Sequence, residues 1–510
     1  MTPPPPKYFL WSLRPAVLLT PRKNKTMTHL LLHRHKSRTP PKTTKMPSSK
    51  TLAFLLLLPA VALLYLLLSF PTNPFRTTAA AVGDVSGGGE ATGVRHLLFG
   101  VASSSRTFPK RKGYLRLWWR PGATKGAVFL DSPLESSADG GREAEGGLPL
   151  AVVSADTSRF PYAFKSGSRS AVRVARIVKE LVDSLNQSLP HGDVRWIVLG
   201  DDDTVFFPEN LAGTLAKYDW EQWHYIGGIS ESVEQNVKNS FNMAFGGGGF
   251  AISYPLARVL SRVLDSCLMR YGHLYGSDAR VFACLAELGV GMTHEPGFHQ
   301  IDLRGDLLGM LSAHPLAPVV SLHHLDYVDP LFPGMNRTSA LKHLFEAVSI
   351  DPGRIFQQTV CYDPLKLRTV SVSWGYVIQI YEGKLLLPDL LSLQPTFTSW
   401  RRRSGVSPNL FMFDTREFPK DLCKRPATFF LGSVFYSKGK IESTYKRRVS
   451  GDCQQSMNST KDLHQIKVSS EKFEMGQSRR HCCDILASEE MTMEIDIRRC
   501  KDDELIAMNP

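Results

Sequence analysis

Apolar positions along this chain fall into three regimes. Residues 52–70, LAFLLLLPAVALLYLLLSF, form one unbroken apolar run of nineteen residues. Between residues 96 and 288 the apolar residues come as short continuous runs, separated by stretches in which they recur at helical spacing. Beyond about residue 345 they sit in β-type runs such as 369–378 (TVSVSWGYVI) and 427–431 (ATFFL).

A short apolar run bounded by turn residues reads as a strand buried on both faces. The second regime therefore predicts strands at 96–102, 127–130, 150–153 and 196–199. Helices are expected at 111–120, where Tyr114, Leu117 and Trp118 share a face and Pro121 ends the pattern, and at 170–186, 209–218 and 279–288. Strand and helix alternate, which is the signature of an α/β fold with a mostly parallel sheet covered on both faces. The third regime predicts antiparallel strands in a second, cysteine-bearing β-rich module at 346–510. Residues 135–147, rich in Gly, Ser, Asp and Glu, read as an exposed loop insertion.

As a helix rising ~1.5 Å per residue, the nineteen-residue run would cross most of a ~30 Å hydrocarbon core. Eleven Lys or Arg and no Asp or Glu precede it. The positive-inside bias then leaves residues 1–51 as a basic cytosolic tail, with 52–70 as a transmembrane anchor. A cleaved signal peptide starting at Met46 is the alternative, but the run exceeds the usual apolar core of about 7–15 residues. Residues 71–93, with Pro71, Pro74 and Gly87-Gly88-Gly89, form a stem that cannot bury a core. The α/β domain follows at 94–345.

The formal net charge of +13 is concentrated in that tail, since without it 50 basic residues face 48 acidic ones. Such a balance excludes the basic face of a nucleic-acid-binding protein. The clusters Lys110-Arg111-Lys112 and Arg401-Arg402-Arg403 read as solvated loops. All eight cysteines follow the apolar run, and no Cys-x-x-Cys pair gives zinc spacing, so disulfides in an oxidising lumen are expected. Asn186, Asn336 and Asn458 each open a glycan-acceptor triplet.

The chemistry concentrates at Asp201-Asp202-Asp203, which leaves the apolar stretch 196–199 through Gly200. Crowded carboxylates raise one another's pKa unless a cation holds them ionised. Oxygen ligands suit Mg²⁺ or Mn²⁺, and an ion held there could grip a diphosphate.

The order FGVAS (99–103), YLRLWWR (114–120), WIVLGDDDTVF (196–206), FGGGGF (245–250) and Ser277-Asp278 resembles the fringe-related glycosyltransferases. It is most similar to their plant group, which carries a long carboxyl-terminal region. The resemblance implies a type II Golgi membrane enzyme of GT-A fold. Such an enzyme uses Mn²⁺, or Mg²⁺, to transfer a hexosyl group from a UDP-sugar to a glycan acceptor with inversion. It maps the metal onto Asp201 and Asp203, with Asp202 nearer the ribose or the metal's waters. Val320-Ser321-Leu322-His323 matches the family's later metal-binding segment and implies His323 as a ligand, with His324 and His299 as competitors.

By the same resemblance Asp278 is the base for the acceptor hydroxyl. The alternative for this stretch is that Ser277 or Asp278 caps the helix that follows. Gly247, Gly248, Gly249 and Phe250 are implied to line the place where donor meets acceptor, where missing Cβ atoms allow close approach. Trp220, Trp223 and Tyr225 either stack on sugars or belong to the core. A Cys267–Cys284 bridge would hold the loop of the base.

Two rivals fail on the residues. An aspartyl-phosphate phosphatase needs a downstream acidic pair, and Gly305-Asp306 leads only to Leu307-Leu308-Gly309. A calcium loop needs alternating acids and a terminal Glu, and Val205-Phe206-Phe207-Pro208 supplies none. A carbohydrate-binding or scaffolding protein without turnover remains the alternative function.

Overall fold

The computed structural model describes residues 90–134, 147–188, 193–363, 365–400, 410–448, 460, 462–476, 479–488 and 491–506. The expected tail and anchor, most of the stem, nearly all of the 135–147 insertion and Arg401-Arg402-Arg403 lie outside the described residues. Among the described residues no helix is long and apolar enough to cross a membrane.

The architecture is mixed α/β. In chain order the first half lays down β1 (Leu97–Ala102), β2 (Lys125–Leu130), β3 (Leu150–Val153), β4 (Trp196–Asp201), β5 (Val205–Phe206), β6 (Tyr225–Gly227) and β7 (Phe250–Ser253). Next come β8 (Met292–His294), β9 (Phe298–His299), β10 (Leu303–Gly305) and β11 (Ser321–Leu322). A seven-stranded sheet runs β3-β2-β1-β4-β7-β6-β8. Only its β4–β7 and β6–β7 ladders are antiparallel. A second, three-stranded sheet, β5-β11-β9, stands beside the end of β4.

Both faces of the large sheet are covered, as continuous apolar strands require. Leu97, Phe99 and Val101 face one apolar cluster while Leu98 and Ala102 face another. The second cluster is closed by α2 (Ser170–Ser188), α4 (Tyr254–Arg270) and α5 (Ser277–Glu287); on the first lie α1 (Phe108–Trp118), α3 (Pro208–Leu215) and α6 (Arg337–Ile350). The expected helices and strands of this half are all present, with ends shifted by a few residues. Cys267–Cys284 ties α4 to α5.

The carboxyl-terminal region builds β12 (Gln358–Asp363), β13 (Arg368–Ser373), β14 (Val377–Glu382), β15 (Phe397–Ser399), β16 (Ala427–Ser437), β17 (Lys440–Arg447), β18 (Gln465–Ser470), β19 (Cys482–Ser488) and β20 (Thr492–Arg498). The run 369–378 is a hairpin rather than one strand, because Gly375 at φ +76° turns the chain between β13 and β14. Eight strands form the sheet β12-β13-β14-β16-β17-β18-β20-β19, antiparallel except for β18–β20. Its two edge strands meet through the Cys361–Cys483 disulfide, so the sheet curls back on itself and shields its edges. The neighbouring Cys482 points the other way along the pleat and bonds Cys500.

The expected boundary near residue 345 does not separate two cores. The described residues form one compact unit, and a single apolar cluster contains Trp118 and Val198 together with Val370, Ile378 and Ile466. Strand β15 pairs with β10, and Ser232 bridges Phe411.

Gly100 shows how tightly α2 lies on β1, since a Cβ there would meet Leu181, Ile177 and Leu199 at 2.6–2.8 Å. Gly100→Val is expected to cost about 1–3 kcal/mol through overpacking. Gly113→Ala, into open space within α1, should be neutral or stabilise by about 0.5–1 kcal/mol. Denaturant unfolding of the two variants checks the pair.

Candidate functional site

The site is built at the carboxyl end of β4, where parallel sheets bind ligands. Three features fix the acidic turn. The buried Trp118 indole donates to the Thr204 carbonyl at 3.2 Å, and Phe99 and Phe206 pack edge-on or tilted against its ring. Thr204 Oγ1 accepts from the Asp201 amide at 2.8 Å and donates to the Gly247 carbonyl at 2.7 Å. That hydroxyl joins the acidic turn to the glycine run.

The three aspartates then diverge. Asp202 is buried, accepting from Ser103 Oγ at 2.6 Å and from Arg111 Nη1 at 2.9 Å. With both oxygens engaged by protein it is an internal anchor, which corrects its expected place beside the donor. Asp203 puts Oδ2 3.1 Å from Arg111 Nη2. Its Oδ1 is buried without a hydrogen-bond donor and faces His323 Nε2 at 3.2 Å. Asp201 keeps 42% of its side chain open, 3.8 Å from the same nitrogen.

Ligand atoms of Asp201, Asp203 and His323 all lie within 4.8 Å of one another. His323 arrives from β11 with Nδ1 3.3 Å from the Gln300 carbonyl, which can only accept. Nδ1 therefore carries the proton and leaves Nε2 to face the carboxylates, the orientation that a metal-ligating histidine takes. A buried orphan oxygen, an open carboxylate and an oriented imidazole are a donor set that fits Mn²⁺.

With no ion bound, the electrostatics favour a proton on His323, which a metal would displace. Burial beneath the surrounding protein pushes Asp201 up to about 7, with the neighbouring carboxylates adding to it and His323 opposing. For Asp203 burial is outweighed by the charges of His323 and Arg111, which hold it down to about 2. Burial would lower His323, but Asp203 and Asp201 raise it. Without a cation beside it, Asp201 is the carboxylate of the turn whose ionisation is disfavoured.

Arg111 is the residue that sequence reasoning missed. Far from a solvated loop, it lies in α1 and also reaches Asp326 at 3.3 Å, which accepts from Tyr114 at 2.6 Å. Nothing in the local charge run distinguishes it from Lys110 or Lys112. Only the helical phase, one turn before Leu115, hints that it points inward.

Asp278 stands across the glycine run, its Oδ2 accepting from the Gly246 amide at 3.3 Å and its Oδ1 from Ala279 at 3.0 Å. Burial raises its pKa, opposed by those amides. The residue at the helix start is Gly276, so neither Ser277 nor Asp278 is the cap. The glycines make room for protein as much as for ligand. A Cβ on Gly247 would fall 2.1 Å from His323, one on Gly248 3.1 Å from the Gln300 backbone, and one on Gly249, at φ +84°, 2.8 Å from Phe206. Gly248 donates to Gln300 Oε1 at 2.6 Å and accepts from Ser321 Oγ.

Several candidates leave the site. Phe250 is buried edge-on to Tyr225 in the helix-covered core, which corrects its ligand-binding role. Tyr225 is fully buried, and Trp220 and Trp223 precede β6, which runs parallel to β4, so they lie at the opposite end of the sheet. His299 is held between Glu231 at 2.9 Å and His314 at 2.8 Å. His324 turns away from the carboxylates of β4 toward Asp302, at 3.0 Å.

Comparison with known proteins gives a partial match. Residues 235–483 match a family model described as a protein of unknown function, DUF604. The chain is 31% identical over 151 residues to a β-1,3-glucosyltransferase of Mus musculus, a match covering 29% of this chain and 28% of that protein. Among solved structures, a glycosyltransferase involved in glycosylation of the major capsid of PBCV-1 aligns with 48% of this chain and 97% of its own. Its TM-score of 0.25 at 9% identity is too low to carry a shared fold. The sequence similarity is thus to a glycosyltransferase, over a limited part of each protein.

Two outcomes follow from the geometry. Gly247→Ala should weaken Mn²⁺ binding at least about tenfold by displacing His323, whereas Gly246→Ala, whose Cβ meets Asp278 at 3.6 Å, should leave it within about twofold. Calorimetric titration of the full chain checks both. Because protons on Asp201 and on His323, which its carboxylate neighbours raise, both compete with the ion, Mn²⁺ affinity should fall progressively as pH drops through about 7 and level off only above the pH at which His323 is neutral, measured by the same titration across pH.

Proposed function

We propose that this protein is a metal-dependent, inverting glycosyltransferase of GT-A architecture. In this reading it transfers a hexosyl group from a UDP-sugar to a hydroxyl of a glycan or glycoconjugate. Residues 52–70 anchor it in the Golgi membrane as a single-pass type II protein with its catalytic region in the lumen. The observation that carries the activity is the convergence of Asp201, the orphan oxygen of Asp203 and His323 Nε2 at the carboxyl end of β4, facing Asp278 across the glycine run. The limited similarity to a mouse β-1,3-glucosyltransferase supports the same class.

A bound Mn²⁺ would supply positive charge against the diphosphate leaving group. This chain's own residues do the rest. Asp201, Asp203 and His323 hold the cation. Arg111 keeps the remaining acid charge balanced, so that the turn does not fly apart when the site is empty. Asp278, tethered to Gly246, takes the proton from the acceptor hydroxyl as that oxygen attacks the anomeric carbon from the face opposite the diphosphate. Its burial-raised pKa makes it a stronger base than a free carboxylate.

One observation favours the alternative of a carbohydrate-binding protein without turnover. Arg111 already places a cation on Asp202 and Asp203, so part of the acidic charge is met within the protein. The full chain offered a panel of UDP-sugars with Mn²⁺ distinguishes the two. Hydrolysis or transfer is expected, with Asp203→Ala abolishing it and Asp278→Asn lowering kcat about 10²–10⁴-fold while the donor KM changes little. Binding of sugar with no turnover of any donor would support the alternative instead.

A further inference from the structure

The carboxyl-terminal region reaches the candidate metal site through one side chain. Strand β15 pairs with β10 in a register that sets Ser399 opposite Leu303, and the next residue, Trp400, lands on the loop after β11. There its ring stacks on His324, with centroids 4.4 Å apart and planes 10° apart. His324 in turn lies on His323 at 3.9 Å and 32°. Three rings are thus packed in series, ending at the imidazole that faces Asp201 and Asp203.

The outer end of the stack is fixed. Arg304 donates from Nε to the Trp400 carbonyl at 2.9 Å and lays its guanidinium over the Trp400 ring at 4.7 Å and over Tyr327 at 5.3 Å. Tyr327 meets Trp400 edge-on at 4.8 Å. A cation over an indole face and an edge-on phenol both favour one ring orientation. The middle member, by contrast, is held against its backbone preference. His324 has φ +55°, a left-handed conformation uncommon for a non-glycine residue. Its surroundings are Trp400 on one face, His323 on the other, and Asp302 at the ring edge, itself accepting from Ser230 Oγ at 2.6 Å.

We propose that Trp400 is a positioning residue for the metal site: stacked on His324, it sets the plane of the His323 imidazole and so the direction of Nε2. The backbone carbonyl of Gln300, at 3.3 Å, fixes which nitrogen carries the proton, and the Gly247 backbone lies close against the ring. The aromatic stack supplies a further wall, which sets the tilt. Groups behind a metal ligand act in this way, and their loss typically weakens metal binding about 10–100-fold. The carboxyl-terminal region then has a share in the reaction without touching substrate. This inference rests on the reading of Asp201, Asp203 and His323 as a cation site.

Mn²⁺ titration of the full chain, read by the loss of the free-ion electron paramagnetic resonance signal, tests it without reference to turnover. Trp400→Leu should raise the Mn²⁺ dissociation constant about tenfold or more. Trp400→Phe, which keeps a flat ring, should restore it to within about threefold, a rescue that a merely structural role does not produce. Arg304→Gln, which removes the guanidinium and leaves the indole, should weaken binding by a smaller factor, and it decides the matter should Trp400→Leu fail to fold. Folded Trp400→Leu and Arg304→Gln variants that both bind Mn²⁺ within twofold of the unaltered chain would overturn the proposal. Asp203→Ala separates the two levels: if it too leaves Mn²⁺ binding unchanged, the cation site itself is wrong, whereas if it alone abolishes binding, only the role of Trp400 falls.

Discussion

Three adjacent carboxylates at the buried end of a strand form an electrostatic problem that the surrounding structure has to solve. Two neighbouring unit charges 4 Å apart repel by about 4 kcal/mol at an effective dielectric constant of 20, so a buried acidic turn cannot persist without partners. The chain answers with a division of labour. Asp202 is given entirely to Ser103 and Arg111, Asp203 is shared between Arg111 and His323, and Asp201 is left open. Only the last two carboxylates can face a cation, and they face the same point. The partial neutralisation by Arg111 is what allows the turn to fold before any ion arrives.

That arrangement depends on rigid packing behind it. Breaking a buried ion pair by removing one partner costs about 3–5 kcal/mol, because the other charge is stranded, so Arg111 has to be delivered reliably. Helix α1 delivers it, pinned by Trp118 to the carbonyl of Thr204, the residue that follows the aspartates. On the opposite side the glycine run lets His323 and Phe206 press against backbone at distances that no Cβ tolerates. The same run carries the amide that holds Asp278. Charge, packing and backbone freedom are therefore one constraint seen from three sides.

Much of this was legible in the sequence, and the failures have a common cause. Continuous apolar runs located β1 to β4 of the large sheet, whereas the three- and four-residue strands β6, β7 and β8 are too short to leave such a pattern. The acidic triplet and His323 were legible because each carries chemistry in its residue type. Arg111 was misread because a cation in a charge run looks the same whether it faces water or a carboxylate 91 residues away. Phe250 and Tyr225 were assigned to the cleft or left open because an aromatic side chain does not announce which face of a strand it leaves. Trp400 carried no signal at all, since its place depends on β10 and β15 pairing across more than 90 residues of intervening chain.

The same reasoning bears on why the chain does not divide at residue 345. A β-rich region with alternating polarity can form a curled sheet of its own, and here Cys361–Cys483 brings its outermost strands together. Such a closed sheet could in principle stand apart from its neighbour. It does not, because its inner residues share one apolar cluster with α1, α3 and α6, and because β15 leaves it to extend the α/β half at β10. A region joined only by a linker could be lost without altering the acidic turn. A region whose side chains complete the packing behind His323 cannot, and the carboxyl-terminal strands are in that sense part of the site's scaffold.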